Sequence, residues 1–155
     1  MGFIRFRSHN FADHFIRHRD FMGELTTFDA GLPDDFAFDL IPRGEQDEVA
    51  LRSKNFPDRF LRHRDFRIRL EGRNAPNPQL LKQDTTFVME KGLAGSGISF
   101  RSVNFPTRFI RHRDFDLFLE EPDTNPKTFA RDATFFREGL PGSFGDDNVG
   151  IPVEE

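Results

Sequence analysis

Ser53-Lys54-Asn55-Phe56-Pro57-Asp58-Arg59-Phe60-Leu61-Arg62-His63-Arg64-Asp65-Phe66 is one of three versions of the same word in this chain. The others are Ser8-His9-Asn10-Phe11-Ala12-Asp13-His14-Phe15-Ile16-Arg17-His18-Arg19-Asp20-Phe21 and Ser102-Val103-Asn104-Phe105-Pro106-Thr107-Arg108-Phe109-Ile110-Arg111-His112-Arg113-Asp114-Phe115. Their histidines, His18, His63 and His112, stand 45 and 49 positions apart, a period that marks a repeat architecture.

Working outward, an alternating segment precedes each word: Ile4-Arg5-Phe6-Arg7, Val49-Ala50-Leu51-Arg52 and Ile98-Ser99-Phe100-Arg101. A second word follows it. Asp84-Thr85-Thr86-Phe87 precedes Gly92-Leu93, and Asp132-Ala133-Thr134-Phe135 precedes Gly139-Leu140. The first copy carries a degraded version, Asp35-Phe36-Ala37-Phe38 before Gly44. One domain is therefore expected over 1–155, with copies at 1–47, 48–96 and 97–144 and a tail at 145–155.

Each copy offers about four short strands. Arg67-Ile68-Arg69-Leu70 and Asp116-Leu117-Phe118-Leu119 alternate with period two, the mark of strands buried on one face. Asn74-Ala75-Pro76-Asn77-Pro78 and Pro122-Asp123-Thr124-Asn125-Pro126 read as loops that no helix accepts. No long stretch has a 3.6-residue period, so the expectation is all-β with little or no helix. Three such units are too few for a propeller, and a solenoid would need capping ends. Closing them about a pseudo-threefold axis pairs every edge and pools three apolar faces, which predicts a β-trefoil. The repeated Phe15/Phe60/Phe109, Phe21/Phe66/Phe115 and Phe38/Phe87/Phe135 are then expected in the core.

Composition narrows function. The 155 residues carry a net charge of -4, so no electrostatic footprint for nucleic acid exists. No apolar run reaches membrane-spanning length, and the first residues lack the apolar core of a signal peptide. With no cysteine, disulfides and thiolate metal sites are excluded. The aromatic set is 21 Phe with no Tyr or Trp, so it fills space without asking for hydrogen-bond partners.

The repeated words resemble the arabinose-binding domain of arabinofuranosidase B, the family 42 carbohydrate-binding modules. The resemblance spans nearly the whole chain and all three copies, Asp132-Ala133-Thr134-Phe135 most closely. It implies a β-trefoil that holds arabinofuranose side chains of arabinoxylan or arabinan, without catalysis or cofactor, usually appended to a secreted glycosidase. It also implies that the His of the first word and the Asp of the second contact the sugar. Position by position these are His63 with Asp84, His112 with Asp132, and His18 with Asp35. Where the family commonly has Tyr, this chain has Phe56, Phe60, Phe105 and Phe109, so no phenol is available to a ligand.

The residue chemistry is consistent with that role. An ionised Asp accepts hydroxyl protons in charge-assisted bonds, and a neutral His both donates and accepts. Beside an aromatic surface they would form shallow sugar sites, strengthened by multivalency on a polymer. The same pairs could instead tie hairpins together, which leaves a structural or protein-interaction trefoil with vestigial sites as the alternative. The first copy, with Phe36-Ala37 in place of the small polar pair, is expected to keep the fold and lose the site. Arg17-His18-Arg19, Arg62-His63-Arg64 and Arg111-His112-Arg113 are expected to pair with the adjacent Asp20, Asp65 and Asp114. The acids Asp29, Asp34, Asp35 and Asp39, and Gly145-Asp146-Asp147-Asn148, lack calcium-loop spacing and read as solvated loops. A monomer with a carbohydrate partner is expected, and no partnership with nucleic acid or membrane.

Overall fold

A computed structural model describes residues 2–72 and 74–140. The tail expected at 145–155 and its Gly145-Asp146-Asp147-Asn148 cluster lie outside the described residues. Twelve strands form one continuous antiparallel system among those residues.

Six of them close a barrel. In chain order they are β1 (Ile4–Ser8), β4 (Phe38–Pro42), β5 (Glu48–Ser53), β8 (Phe87–Lys91), β9 (Ile98–Ser102) and β12 (Phe135–Gly139). The pairings β1–β4, β4–β5, β5–β8, β8–β9, β9–β12 and β12–β1 return to their start, so no barrel edge is left open. The other six form three hairpins: β2 (His14–Arg19) with β3 (Met22–Thr27), β6 (Arg59–Arg64) with β7 (Arg67–Gly72), and β10 (Phe109–Arg113) with β11 (Asp116–Glu120). These cap one end, joined to one another through β3–β7, β7–β11 and β11–β3. This is the β-trefoil the repeat implied.

The core repeats in layers. Phe38, Phe87 and Phe135 are fully buried, as are the hairpin residues Ile16/Leu61/Ile110 and Leu70/Leu119 with Leu25. At the equivalent hairpin positions Gly23, Ile68 and Leu117, the glycine makes room: a Cβ there would meet Ile68 at 2.9 Å. Threefold symmetry is broken where three large side chains would not fit.

Two expectations fail here. Phe21, Phe66 and Phe115 are 41, 37 and 46% exposed rather than core. They occupy the second position of two-residue hairpin turns, Asp20-Phe21, Asp65-Phe66 and Asp114-Phe115, in which both residues have φ between 52° and 64°. That is the type I′ signature, which turns the side chain away from the barrel. Phe15 and Phe109 are buried and Phe60 is half-buried, all outside the central cluster.

The proline-rich loops also hold helix. Two seven-residue helices, α1 (Pro78–Asp84) and α2 (Pro126–Asp132), begin on the prolines that seemed to forbid them. Proline suits the first helical position, where its missing N–H has no partner to lose. Asn77 Oδ1 accepts from Leu80 N at 3.0 Å and Asn125 Oδ1 from Thr128 N at 3.3 Å, capping both. The first copy has a single 3-10 turn there, Pro33–Phe36.

Candidate functional site

The Arg-His pairs lie near the ends of β2, β6 and β10, and all six side chains are buried. The site aspartates end the element that follows: Asp84 closes α1, Asp132 closes α2, and Asp35 sits in the 3-10 turn. A carboxylate at a helix C-terminus opposes the helix dipole, so something else must hold it. A buried arginine does. Arg17 Nη2 donates to Asp35 Oδ2 at 2.8 Å, and Arg62 and Arg111 donate likewise to Asp84 and Asp132. Each arginine is fixed through its Nε to the carbonyl of the following histidine, at 2.9–3.2 Å.

A third residue type completes the cluster, and it comes from the next copy. Asn55 Nδ2 donates to Asp35 Oδ1 at 2.9 Å, Asn104 to Asp84 at 2.9 Å and Asn10 to Asp132 at 2.8 Å. The amide oxygen then accepts from histidine Nε2: His18–Asn55 2.9 Å, His63–Asn104 3.0 Å and His112–Asn10 2.8 Å. Ser53, Ser102 and Ser8 position each amide, donating to its oxygen and accepting the N–H of Phe56, Phe105 and Phe11. The direct His–Asp approach is longer, 3.8, 3.3 and 3.4 Å across the three copies, so the amide is the real bridge. The Ser-x-Asn-Phe words signalled this residue at a fixed offset. Its contact crosses a copy boundary, which offset within a copy cannot show.

All six predicted residues are therefore brought together in pairs. Asp35 occupies the same position as its counterparts, so the loss of site geometry expected in the first copy is not observed. The Arg-His-Arg words do not pair with Asp20, Asp65 or Asp114 as expected. Their outer arginines reach across the hairpin instead, Arg19 to Glu24, Arg64 to Glu71 and Arg113 to Glu120. The acids near the first site each meet a different cation, Asp34 meeting Lys54, Asp35 Arg17 and Asp39 Arg52. Among the described residues, no group of three metal-ligating side chains converges.

Beside each cluster stands a pair of phenylalanine rings. Phe21 meets Phe56 at 5.1 Å, Phe66 meets Phe105 at 5.4 Å and Phe115 meets Phe11 at 5.3 Å between centroids. The second ring of each pair also touches the histidine, at 5.3–5.6 Å. A cation covers the outer ring, Arg59 on Phe21 at 4.2 Å and Arg108 on Phe66 at 3.8 Å; in the third copy His14 stacks on Phe115 at 5.2 Å. Asp-Gly would suit these type I′ turns, whereas Phe in the left-handed region costs about 1–2 kcal/mol. Its carbonyl is held there by the neighbouring hairpin: Leu70 N donates to Phe21 O, Leu119 N to Phe66 O and Leu25 N to Phe115 O, at 2.8–2.9 Å. Three strained turns present an aromatic ring beside three polar clusters.

Burial sets the histidine charge. His18, His63 and His112 are all held below the ordinary histidine pKa, chiefly by desolvation, so they are neutral at pH 7 and donate from Nε2. Each aspartate uses one oxygen on arginine and the other on asparagine, leaving lone pairs for a ligand hydroxyl. The first cluster opens into a cleft of about 330 Å³, lined by Arg17, His18, Leu32, Asp35, Phe21 and Phe56 among others. A second cleft of about 370 Å³ lies beyond Arg62, between Glu71, Asn74 and Leu80, and does not reach His63 or Asp84.

Residues 4–137 match the alpha-L-arabinofuranosidase B (ABFB) domain. The chain belongs to that family. Similar solved structures include a glycoside hydrolase family 54 alpha-L-arabinofuranosidase soaked with 4-nitrophenyl alpha-L-arabinofuranoside, 22% identical at a TM-score of 0.79. An arabinofuranosidase complexed with arabinofuranosyl-alpha-1,2-xylobiose is also 22% identical, at 0.78. In both cases 89% of this chain is covered, and it spans 31% of the enzyme's length. The BEL beta-trefoil, 14% identical at 0.64, is covered over 93% of its own length by 90% of this chain. No curated protein sequence matches the chain. The ABFB domain of the family 54 enzymes is their family 42 carbohydrate-binding module, so membership agrees with the words quoted at the outset.

Proposed function

We propose that this ABFB domain is a non-catalytic carbohydrate-binding module that holds arabinofuranose side chains of polymers such as arabinoxylan or arabinan. The observation that carries it is the threefold recurrence of an Asp–Asn–His cluster beside an aromatic ring kept in a strained turn. A furanose end offers vicinal hydroxyls to the carboxylate and amide, and a small apolar face to the ring. The relatives' association with arabinofuranosyl ligands supports the same ligand class here. Repetition supports binding over catalysis. Glycoside hydrolysis needs two carboxylates flanking one bond in different environments. Each histidine meets a single aspartate, and the second carboxylates of copies two and three, Glu71 and Glu120, are tied to the same arginine as that aspartate.

A structural reading also has an observation in its favour, since the cluster atoms satisfy one another without a ligand. Isothermal titration with arabinoxylan, arabinan and methyl arabinofuranoside separates the two. Binding to all three, weakened several-fold by Asp84→Asn with Asp132→Asn in a folded protein, is the expected result. Absence of binding by the native chain makes the cluster a structural tie.

A further inference from the structure

The third copy presses Phe129 against its buried arginine, with Arg111 Cζ 5.0 Å from the ring. The first copy does the same with a different residue: Arg17 Cζ lies 4.8 Å from Phe36. Phe36 is fully buried, as Phe129 nearly is. Three residues before the site aspartate, copies two and three place Leu81 and Phe129 on a helix, half-buried and buried. The first copy places Leu32 there. With Phe36 already covering Arg17, Leu32 is released from packing and is 51% exposed.

Its position is nonetheless fixed. Leu32 N donates to Asp29 O at 3.0 Å, and Asp35 N donates to Leu32 O at 3.2 Å. Asp29 also accepts Gly31 N at 2.8 Å, closing the turn before it. A hydrogen-bonded turn therefore holds an apolar side chain at the wall of the cleft that contains Asp35 and His18, with Phe21 and Phe56 in the same lining. The site aspartate is tied by its own backbone to that leucine. A hydroxyl-binding floor with an apolar wall fits a ligand that is polar on one side and apolar on the other.

We infer that the first-copy site selects a furanose carrying an apolar substituent, an aryl or acyl group, which covers Leu32 while the sugar hydroxyls meet Asp35. Site three has no exposed leucine on α2, and in copy two the exposed Leu80 faces a cleft that does not reach His63 or Asp84, so both take furanose ends without regard to the substituent. This rests on the sugar-binding reading above and specifies its ligand at one site.

Heteronuclear NMR titration of the full chain with methyl and 4-nitrophenyl alpha-L-arabinofuranoside tests it site by site, the second compound being the aryl glycoside soaked into the similar enzyme. At the first site, Leu32 and Phe56 amides should report about tenfold tighter binding of the aryl glycoside. Asn10 and Phe115, at the third site, should report equal affinities. Leu32→Ser should abolish the difference at the first site while leaving both affinities at the third site and the melting temperature unchanged. Equal affinities at the first site, a preference that survives Leu32→Ser, or equally tight binding of free 4-nitrophenol there would overturn the inference alone, provided the methyl glycoside binds elsewhere. Failure of both glycosides at every site overturns it together with the function on which it rests.

Discussion

The first and third copies arrive at one polar cluster by different routes. The third uses a capped helix, α2, to deliver Asp132 and to seat Phe129 on Arg111. The first has a shorter loop with a 3-10 turn, and Phe36, one residue after the aspartate, takes the place over Arg17. What reads in sequence as decay of the second word is a compensation. The cluster constrains side chains at one point in space, and backbone on either side is free to vary as long as the arginine stays covered and the aspartate stays paired.

The largest test of that comparison is truncation of the two covering rings. Phe36→Ala and Phe129→Ala each empty a closed site and should cost about 3–5 kcal/mol in urea unfolding. Similar losses are the expected outcome. A cost for Phe36→Ala well under half that of Phe129→Ala would mean that Phe36 is not its counterpart.

Removing the arginines should separate the copies instead. Asp84 is 6% exposed in its side chain and Asp35 18%. Arg62→Ala leaves the buried Asp84 charge uncompensated and releases Glu71 as well, a loss of about 3–5 kcal/mol, whereas Asp35 in its cleft is partly rescued by water. Arg17→Ala should therefore be clearly milder in the same assay. Equal losses would show that the cleft gives Asp35 no solvent relief.

These contrasts also mark what could be read from sequence. Closure of the barrel was legible because Phe38, Phe87 and Phe135 recur between period-two segments, and three half-buried sheets have few ways to close. The His and Asp partners were legible through the family words. Asn10, Asn55 and Asn104 were in view but not singled out, since their partners lie in another copy; Asn10 and His112 are 102 residues apart. Phe21, Phe66 and Phe115 were misplaced because a repeated Phe looks like core, and only backbone geometry shows a left-handed turn. Pro78 and Pro126 misled in the opposite direction, as a breaker inside a helix is a starter at its first position.

Acid treats the copies alike. Desolvation holds His18, His63 and His112 below their unfolded value, near 6.5, in all three sites. Between the folded and unfolded values the unfolded chain binds more protons, so stability falls as pH drops through about 6.5 and levels off below the folded values. Urea midpoints from pH 8 down to 5 should trace that decline. His63→Gln should make it shallower. A slope unchanged by that substitution would assign the decline to other groups.

The smallest effect on stability should come from the turns that present the rings. Phe66→Gly relieves left-handed strain worth about 1–2 kcal/mol but forfeits the Arg108 contact, worth about 0.5–1 kcal/mol at an exposed ring, and the edge contact with Phe105, worth about 0.5–1.5 kcal/mol. The Leu119–Phe66 backbone bond survives, because it needs only the carbonyl. Added backbone freedom in the unfolded chain opposes the gain. The net change should lie within about 1 kcal/mol of zero, while furanoside binding at the second site is lost or falls several-fold. Phe115→Gly, where His14 replaces the arginine, should be as neutral or slightly stabilising. That combination would identify the aromatic turn as a feature retained for a ligand, since the fold itself would be as well served by glycine. Undiminished binding at the second site in Phe66→Gly would leave the strained Phe without a role in recognition and return the choice to the polar cluster.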